Sequence, residues 1–491
     1  MQVVGELARI AEQQDRSATF ELIRKLADPG VGGLERERIG DALGRLGDPR
    51  AMAPLAGIGR DRDHPAEVRL AALQVLENAA MCPQGADLRA WWNTGDDLVR
   101  ACVLRQAERS EADLLEPVAR DPHHLLHRHA LTGIEFCFEE PRWQQYKIQG
   151  LDHPDPGVRW TAADVLRWDE PVAAEPALHR AAADSDTDVA CAAIDTLRYY
   201  HSRATLRLLH EIAQGDGERA VAAQDSKADM LVYFEREQLR IRHWIAPVTD
   251  LLGPPELDTP PSSGPSVPGR PEQSVPTAAE IFATYSDLDG PWAAKLDALR
   301  RYDWTGVPAA DRPGLAAFLS GHPDPQVRVL CCPILSTWHE VDPLLALAHD
   351  PEPGVRKSAV YYLRFVPPSR EIATLTWDLV ASGEVAGTRG YEALATCAAH
   401  TPPRELDDRL IELARTDLRE NIRVEAVSQL GDRIDPLLPL LSEPPLLTWA
   451  VHIRLLDACS KSGLHPSAAS ALWAVDNLHL AAALADLDDR L

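Results

Sequence analysis

The sequence predicts an all-α protein, an α-solenoid of helical hairpins arranged as two arrays joined by a proline-rich linker. Three observations carry this prediction. A short turn phrase containing Asp, Pro, Val and Arg recurs along the chain, apolar residues return at helical spacing after each copy, and one central segment is dominated by Pro, Ser and Gly. Internal repetition at a fixed period is the sequence signature of a solenoid.

The turn phrase is clearest at residues 63–69, 153–159, 322–328 and 350–356. Its Asp and Pro residues end one helix and prepare the next, because Pro cannot continue a helix and biases the residue before it away from helical geometry. Taking the Val position of each copy as an anchor places one set of anchors at 68, 99, 126, 158 and 189 and, after a gap without a clear phrase, a second set at 327, 355, 388 and 422, with steps of 27 to 34 residues within each set. Each step has the length of one helical hairpin.

The helix after each anchor has one apolar face. Apolar residues return four, seven and eight positions after the anchor, as in Val158, Ala162, Val165 and Leu166, which is the spacing of an amphipathic helix. The fourth position carries a small residue in several copies, namely Ala72, Ala130, Ala162 and Ala359. We expect these alanines to let the two helices of a hairpin pack closely.

These phrases resemble HEAT repeats, in the short bacterial form that is similar to the repeats of phycobilisome lyases. Residues 42–51, which read ALGRLGDPRA, match the usual joint of that family. The resemblance implies a ladder in which an acidic turn residue pairs with the arginine six positions later. Three pairs have this spacing, Asp63 with Arg69, Asp350 with Arg356 and Asp417 with Arg423, whereas His153 and His322 replace the acid elsewhere.

The segment 253–277 reads GPPELDTPPSSGPSVPGRPEQSVPT. It contains too few apolar residues to repay the entropy of ordering it, and its composition is typical of a flexible or polyproline-like linker. We therefore predict an N-terminal array at 1–252, a linker at 253–277 and a C-terminal array at 278–491.

Composition narrows the possible functions. The apolar fraction of 45%, the mean hydropathy of −0.23 and the absence of long apolar runs predict a protein that does not span a membrane. No basic and apolar leader follows Met1, so we expect a cytoplasmic protein. The net charge of −25 and pI of about 5.1 disfavour nucleic acid and favour a basic protein partner.

Sequence patterns that would indicate catalysis are weak or absent. There is no phosphate-binding loop, nucleophile elbow or zinc-protease helix. The alternatives are an enzyme on a HEAT solenoid, similar to DNA base glycosylases or bilin lyases, or a di-iron hydroxylase using His210-Glu211 and His339-Glu340, and none is matched residue by residue. We predict a non-catalytic binding scaffold, acting as an adaptor or as a regulator or inhibitor of its partner, without a cofactor.

Two sets of residues are candidates for binding. Aromatic residues recur near the end of the second helix of several hairpins or in a loop-like stretch, and Trp and Tyr are enriched in binding hot spots. We expect partner contacts from Trp91, Trp92, Trp160, Trp168, Tyr199, Tyr200, Trp338 and Phe365. The histidine cluster at 123, 124, 127 and 129 is a candidate for a metal site, because His123 and His127 would share a helix face, but no nearby Cys is placed to complete a tetrahedral set.

Overall fold

The structure, a computed structural model, describes residues 2–79, 81–83, 85–107, 111–134, 140–167, 170–252, 274–382 and 391–489. Throughout this part of the chain, α-helices alternate with short turns and 3-10 helices. Two compact units emerge. Unit 1 combines Met1–Leu114 with Val267–Thr388, and unit 2 combines Leu115–Ser266 with Arg389–Leu491. The predicted all-α fold is confirmed.

In the part of the chain that the structure describes, sixteen α-helices precede the proline-rich segment. They are α1 (Gln2–Gln13), α2 (Thr19–Ala27), α3 (Gly33–Leu46), α4 (Met52–Arg60), α5 (Ala66–Asn78), α6 (Gly85–Thr94), α7 (Asp97–Gln106), α8 (Ala112–Arg120), α9 (His127–Gly133), α10 (Pro141–Gly150), α11 (Pro156–Val165), α12 (Glu175–Ala181), α13 (Thr187–Leu197), α14 (Arg203–Ala213), α15 (Glu218–Glu237) and α16 (Arg242–Ile245).

The remaining helices follow the proline-rich segment. They are α17 (Ala278–Ser286), α18 (Trp292–Arg301), α19 (Arg312–Ser320), α20 (Pro325–Trp338), α21 (Val341–Leu347), α22 (Pro353–Leu363), α23 (Arg370–Ser382), α24 (Tyr391–His400), α25 (Pro403–Thr416), α26 (Glu420–Leu430), α27 (Ala450–Ser462), α28 (Ala469–Leu472) and α29 (Leu478–Asp489). Short 3-10 helices occur at Arg16–Ala18, Pro49–Ala51, Val172–Ala174, Ala246–Leu251 and Asp435–Ser442.

The turn phrase starts the second helix of a hairpin through local chemistry. At α11 the carboxylate of Asp155 accepts a hydrogen bond from the backbone N–H of Gly157, and Pro156 occupies the first turn. The same arrangement begins α20, where Asp324 accepts from Gln326. Asp at the N-cap satisfies an otherwise unpaired donor and Pro has no donor to lose there, so this sequence favours a helix start.

Hairpins stack through their second helices in each unit. In unit 1, α3 packs against α5 and α20 packs against α22, and in unit 2, α9, α11, α13 and α15 pack in succession. The predicted small residues Ala72, Ala130, Ala162 and Ala359 have no exposed surface. At Gly150 in α10 an added Cβ would lie 2.8 Å from the Cβ of Ala162 in α11. The two helices of this hairpin therefore approach too closely for a larger residue.

An arginine ladder joins consecutive turns, but its spacing differs from the prediction. The arginine that follows the anchor Val forms a bidentate pair with the acid of the next turn along the chain, 22 to 27 residues later. The pairs are Arg69 with Asp96, Arg159 with Asp184 and Arg328 with Asp350. Bidentate charge-assisted pairs fix geometry as well as adding energy. The ladder therefore sets the register between neighbouring hairpins.

The predicted spacing of six residues is therefore wrong for the carboxylate pairs. Arg356 reaches Asp350 through the backbone carbonyl, at 2.9 Å, while the Asp350 carboxylate accepts from Arg328. The Asp417 carboxylate accepts from Arg419. Arg159, Arg328 and Arg356 each donate to the carbonyl of the residue six positions before them. The guanidiniums of Arg159 and Arg328 also reach the acid of the following turn.

The two histidines that replace a turn acid, His153 and His322, also connect their turn to another segment of the chain. The Nε2 atom of His153 lies 2.6 Å from the carbonyl oxygen of Pro122, and that of His322 lies 2.7 Å from the carbonyl of Tyr285. Both bonds reach a carbonyl outside the histidine's own turn. Burial lowers the pKa of His322, so it makes this bond as a neutral imidazole at pH 7.

The predicted boundaries cut the chain differently from the compact units. Each unit contains residues from both sides of the proline-rich segment, whereas arrays at 1–252 and 278–491 follow the order of repeats along the chain and stay a prediction. Most of the linker, residues 253–273, lies outside the described residues. Thr277 closes it with a capping box that begins α17.

Among the described helices, none combines the length and apolar character needed to cross a membrane.

Candidate functional site

A groove of about 540 Å³ in unit 2 brings together an exposed tryptophan and several charged residues. We name it the acidic groove. It crosses the second helices of three successive hairpins, α9, α11 and α13. Its lining consists of Arg128, Pro156, Gly157, Trp160, Asp164, Arg167, Asp186, Asp188, Cys191, Ala192 and Asp195.

The residues that line the groove occupy equivalent positions in successive hairpins. Counting from each anchor Val or its equivalent, the second position is Arg128 in α9, Trp160 in α11 and Cys191 in α13. The sixth position carries Asp164 in α11 and Asp195 in α13. Positions four apart share a helix face, so stacking the helices aligns these side chains in rows. The groove is a consequence of repetition.

Trp160 supplies the apolar surface of the acidic groove. Its side chain keeps 37% of its surface exposed, and the Arg128 guanidinium lies 6.0 Å from the ring centre. Arg128 also donates from Nε to the hydroxyl of Thr161, at 2.8 Å, which ties α9 to α11. The tryptophan is thus held by its helix while part of its ring remains available to a ligand.

Acidic side chains dominate the charge of the groove. Four carboxylates, those of Asp164, Asp186, Asp188 and Asp195, face two guanidiniums, those of Arg128 and Arg167. Asp164 forms an ion pair with Arg167, with 2.8 Å between the carboxylate oxygen and the guanidinium nitrogen, and Asp186 is engaged as the N-cap of α13. Asp188 and Asp195 are exposed. They are the carboxylates best placed to meet a cation from a partner.

Burial shapes the protonation of two groups in the groove. It raises the pKa of Asp164, and the negative charge of Asp195 adds to the rise while Arg167 opposes it. Burial and then the negative charge of Asp195 also raise the pKa of the Cys191 thiol. The thiol is therefore mostly protonated near neutral pH and is a poor nucleophile. The groove has the chemistry of a binding surface for cations.

The predicted aromatic residues of unit 2 separate into exposed and packed groups. Trp160 lines the groove, and Tyr199 is half-buried with the Arg198 guanidinium 5.2 Å from its ring centre. Tyr200 is buried, and its hydroxyl donates to the carbonyl of Leu166 at 3.4 Å. Trp168 lies outside the described residues. Among the described residues of this set in unit 2, Trp160 and Tyr199 keep exposed surface, whereas Tyr200 is covered.

The same division holds in unit 1. Trp91 and Trp338 are buried, and the indole N–H of Trp338 donates to the carbonyl of Trp304 at 2.7 Å. Trp92 is half-buried, with Arg100 5.6 Å from its ring centre. Phe365, in contrast, keeps 53% of its surface exposed. Repeat position alone does not decide burial, because the neighbouring hairpin determines what covers each ring.

The two histidines considered for metal binding have different environments. His123 is exposed, whereas His127 is buried, stacks on His153 with ring centres 5.7 Å apart, and lies 3.1 Å from the carbonyl of Val118. Burial lowers the pKa of His127. Within the described residues, no group of three or more His, Cys, Asp or Glu side chains converges as a metal site would require.

The His-Glu pairs considered for a di-iron centre occupy unrelated positions. His210 lies in α14 of unit 2. His339 ends α20 of unit 1 in a left-handed conformation, with φ at 59°. That conformation is a helix terminator that residues other than glycine adopt infrequently. His339 therefore has an evident structural role at the end of its helix.

Sequence reasoning did not single out the charged residues of the acidic groove. Asp164 and Asp195 both stand six positions after an anchor, and Trp160 and Cys191 both stand two positions after one. Aligning the repeats and comparing the exposed positions column by column would have found these rows. The pattern of aromatic residues near the helix end predicted Tyr199, and Trp160 was a further predicted contact, but their acidic neighbours were not predicted.

Comparison with known proteins identifies the type of repeat in one part of the chain. A family model described as HEAT repeats matches residues 146–225, which include α11 and α13. No curated protein matches the chain. Among solved structures, the chain is similar to Kap95p in a study of its binding to RanGDP, with 12% identity, a TM-score of 0.29 and coverage of 90% of this chain and 67% of that one.

Two further structures are similar at the same level. Kap121p has 13% identity and a TM-score of 0.27, with 92% of this chain and 53% of that chain covered. Importin beta, in an ammonium sulfate condition, has 14% identity and a TM-score of 0.28, with 93% and 64% covered. The chain thus spans between about half and two thirds of the length of these structures. The prediction of HEAT repeats is confirmed for residues 146–225, which match the family model.

Proposed function

We propose that this chain is a non-catalytic protein-binding scaffold, and that the acidic groove of unit 2 receives a basic segment of the partner. The observation that carries the proposal is the exposed face of Trp160 in a groove where four carboxylates outnumber two guanidiniums. Such a segment would place arginine or lysine side chains beside Asp188 and Asp195. The scaffold would serve as an adaptor or as a regulator or inhibitor of that partner.

The chemistry of the groove suits a few basic side chains of an extended peptide. A cation over the face of a tryptophan gains about 0.5 to 1 kcal/mol at an exposed site, and Arg128 already lies beside one part of the Trp160 ring. A volume of about 540 Å³ is large enough for side chains but not for a folded domain. The net charge of −25 would steer a basic partner towards the surface.

The proposal is tested by measuring peptide binding to the full chain. The probe is a short fluorescein-labelled peptide of alternating arginine and glycine, and binding is followed by fluorescence anisotropy at several salt concentrations. We expect Trp160→Ala to weaken binding about tenfold, because hot-spot tryptophans contribute more than about 1 kcal/mol. Asp195→Asn should weaken it about threefold, as one exposed charge pair does.

A matched substitution separates a specific groove from general acidity. Asp225→Asn in α15 removes the same charge from another exposed position of a unit 2 helix. The proposal requires that Asp195→Asn weaken binding more than Asp225→Asn does. Equal effects of the two substitutions, together with no effect of Trp160→Ala in a folded protein, would show that the peptide senses only the net charge.

A further inference from the structure

The repeat positions that line the acidic groove in unit 2 are occupied by basic and aromatic residues in part of unit 1. In α13 the second, sixth and tenth positions after the anchor Val189 are Cys191, Asp195 and Tyr199. In α22 and the turn after it, the same positions after Val355 are Lys357, Tyr361 and Phe365. Equivalent positions of stacked repeats present equivalent surfaces, so unit 1 offers a surface of different chemistry.

Three aromatic rings form a cluster at this place. The ring centres of Tyr361 and Tyr362 are 5.0 Å apart, and those of Tyr361 and Phe365 are 5.4 Å apart. Tyr361 and Phe365 keep 40% and 53% of their surfaces exposed. Tyr362 is half-buried, and burial raises the pKa of its hydroxyl. One ring thus anchors the cluster and two face solvent, whereas isolated exposed rings are ordinary on protein surfaces.

The surroundings of the cluster are basic. Residues 353–370, which lie between Glu352 and Glu371, contain four basic side chains, those of Arg356, Lys357, Arg364 and Arg370, and no Asp or Glu. Arg364 and Arg370 are exposed, and Arg364 ends α22 beside the aromatic cluster. We name Lys357, Tyr361, Tyr362, Arg364 and Phe365 the basic aromatic patch.

We propose that the basic aromatic patch is a second docking surface, and that it binds an acidic, extended segment of a partner protein. Charge complementarity selects the occupant, because glutamate or aspartate side chains can pair with Arg364 while apolar side chains cover the rings of Tyr361 and Phe365. Acidic groups more than about 8 Å from the patch are largely screened at physiological salt, so the net charge of −25 acts only weakly there.

Single-stranded nucleic acid is the competing ligand, because it also combines negative charge with rings that stack on aromatic side chains. The favoured ligand is a peptide, since one small basic area offers few phosphate contacts and a nucleic acid extending beyond it would meet an acidic protein of net charge −25. The basic aromatic patch shares no residue with the acidic groove, so the two would give the scaffold partners of opposite charge.

The experiment compares three labelled probes on the full chain by fluorescence anisotropy. One is a short peptide of alternating glutamate and leucine, the second replaces each glutamate with glutamine, and the third is an oligothymidylate. We expect the glutamate peptide to bind most tightly, and Phe365→Ala or Arg364→Glu to weaken it about tenfold, as loss of a hot-spot side chain does. The arginine-glycine peptide of the acidic groove should bind these variants as it binds the unaltered chain.

Matched variants of unit 1 provide the controls. Phe20→Ala removes a phenylalanine that is 50% exposed, and Arg24→Glu reverses the charge of an exposed helix residue. Both should leave the glutamate peptide unaffected. The docking surface is rejected if the glutamate peptide fails to bind or binds the patch and control variants equally. Tighter binding of the glutamine peptide rejects the charge argument, and tighter binding of the oligothymidylate rejects the peptide as ligand.

Discussion

Each unit contains a junction between chain segments that are far apart in sequence, and the two junctions use the same three residue types. In unit 1 the Arg16 guanidinium lies 4.2 Å from the ring centre of Trp292 and pairs with Asp324. In unit 2 the Arg203 guanidinium lies 4.3 Å from the ring centre of Trp244 and pairs with Asp476 at 2.6 Å. The two ion pairs bridge 308 and 273 residues of chain.

The junctions differ in their exposure to solvent. The side chains of Arg16 and Asp324 have no exposed surface, whereas those of Arg203 and Asp476 keep 22% and 35%. Arg16 also donates to the carbonyl oxygens of Leu46 and Gly47, so its buried charge is surrounded by acceptors. Removing one partner of a buried pair strands a charge, while an exposed partner regains water. Similar geometry therefore predicts unequal stability.

The largest effect is expected at the buried junction. Arg16→Ala leaves the Asp324 carboxylate without its partner in an interior site, so the free energy of local unfolding should fall by about 3 to 5 kcal/mol. Hydrogen exchange of the α18 and α20 backbone amides measures this fall directly. Arg24→Ala, at an exposed position of α2, is the control and should change stability by less than about 0.5 kcal/mol.

A second substitution distinguishes loss of the ion pair from loss of the packing of Arg16 on Trp292. Asp324→Asn keeps the size and N-cap capacity of the side chain but removes its charge, which leaves Arg16 as the unpaired partner. If both variants lose protection mainly in α18 and α20, the ion pair is the cause. Unchanged protection in Asp324→Asn would instead assign the loss in Arg16→Ala to its packing on Trp292.

These junctions mark the limit of what the sequence could predict. The helical hairpins follow from local chemistry, because Asp155 and Pro156 specify the start of α11 through an N-cap and a fixed backbone angle. The pairing of Arg16 with Asp324 depends on which distant segments meet, and repeat spacing does not encode that choice. Both residues look like ordinary turn residues in the sequence.

The candidate site was predictable in part for a related reason. Trp160 and Trp338 both belong to second helices and both were expected to contact a partner, yet Trp160 is exposed and Trp338 is buried. Trp338 packs against Trp304, their ring centres 5.8 Å apart. Periodicity defines the face on which a side chain lies. Whether a neighbour covers that face depends on tertiary packing.

An effect of intermediate size is expected from the protonation of two buried histidines, which should lower the stability of unit 2 at acidic pH. His201 and His479 lie beside its junction, with Nδ1 of the first 3.2 Å from Nε2 of the second, so one neutral imidazole donates to the other. Burial, and then repulsion from His479, lowers the pKa of His201 to about 4. Burial also lowers the pKa of His479. An unfolded histidine has a pKa of about 6.5.

The unfolded chain therefore binds protons more strongly than the folded unit does at these two positions. Their contribution to stability is complete above about pH 6.5 and is lost as the pH falls towards 4, by about 2 to 3 kcal/mol for His201. His201→Asn should flatten the dependence of unit 2 stability on pH in this range, measured by hydrogen exchange in α14 and α29. An unchanged slope would assign the loss to other groups.

The smallest effect is expected at the exposed junction, where Arg203→Ala should reduce the local stability of unit 2 by about 1 kcal/mol, the upper end for an exposed pair. The Asp476 carboxylate also accepts from the backbone N–H groups of Arg203 and Ala204. It would therefore keep hydrogen bonds at the N-terminus of α14, together with the water that reaches it, after the guanidinium is removed.

Hydrogen exchange of the α14 backbone amides measures this reduction, and its result is compared directly with that for Arg16→Ala. A loss as large as that of Arg16→Ala would mean that the shared arginine, tryptophan and aspartate geometry, and not burial, determines the strength of both junctions.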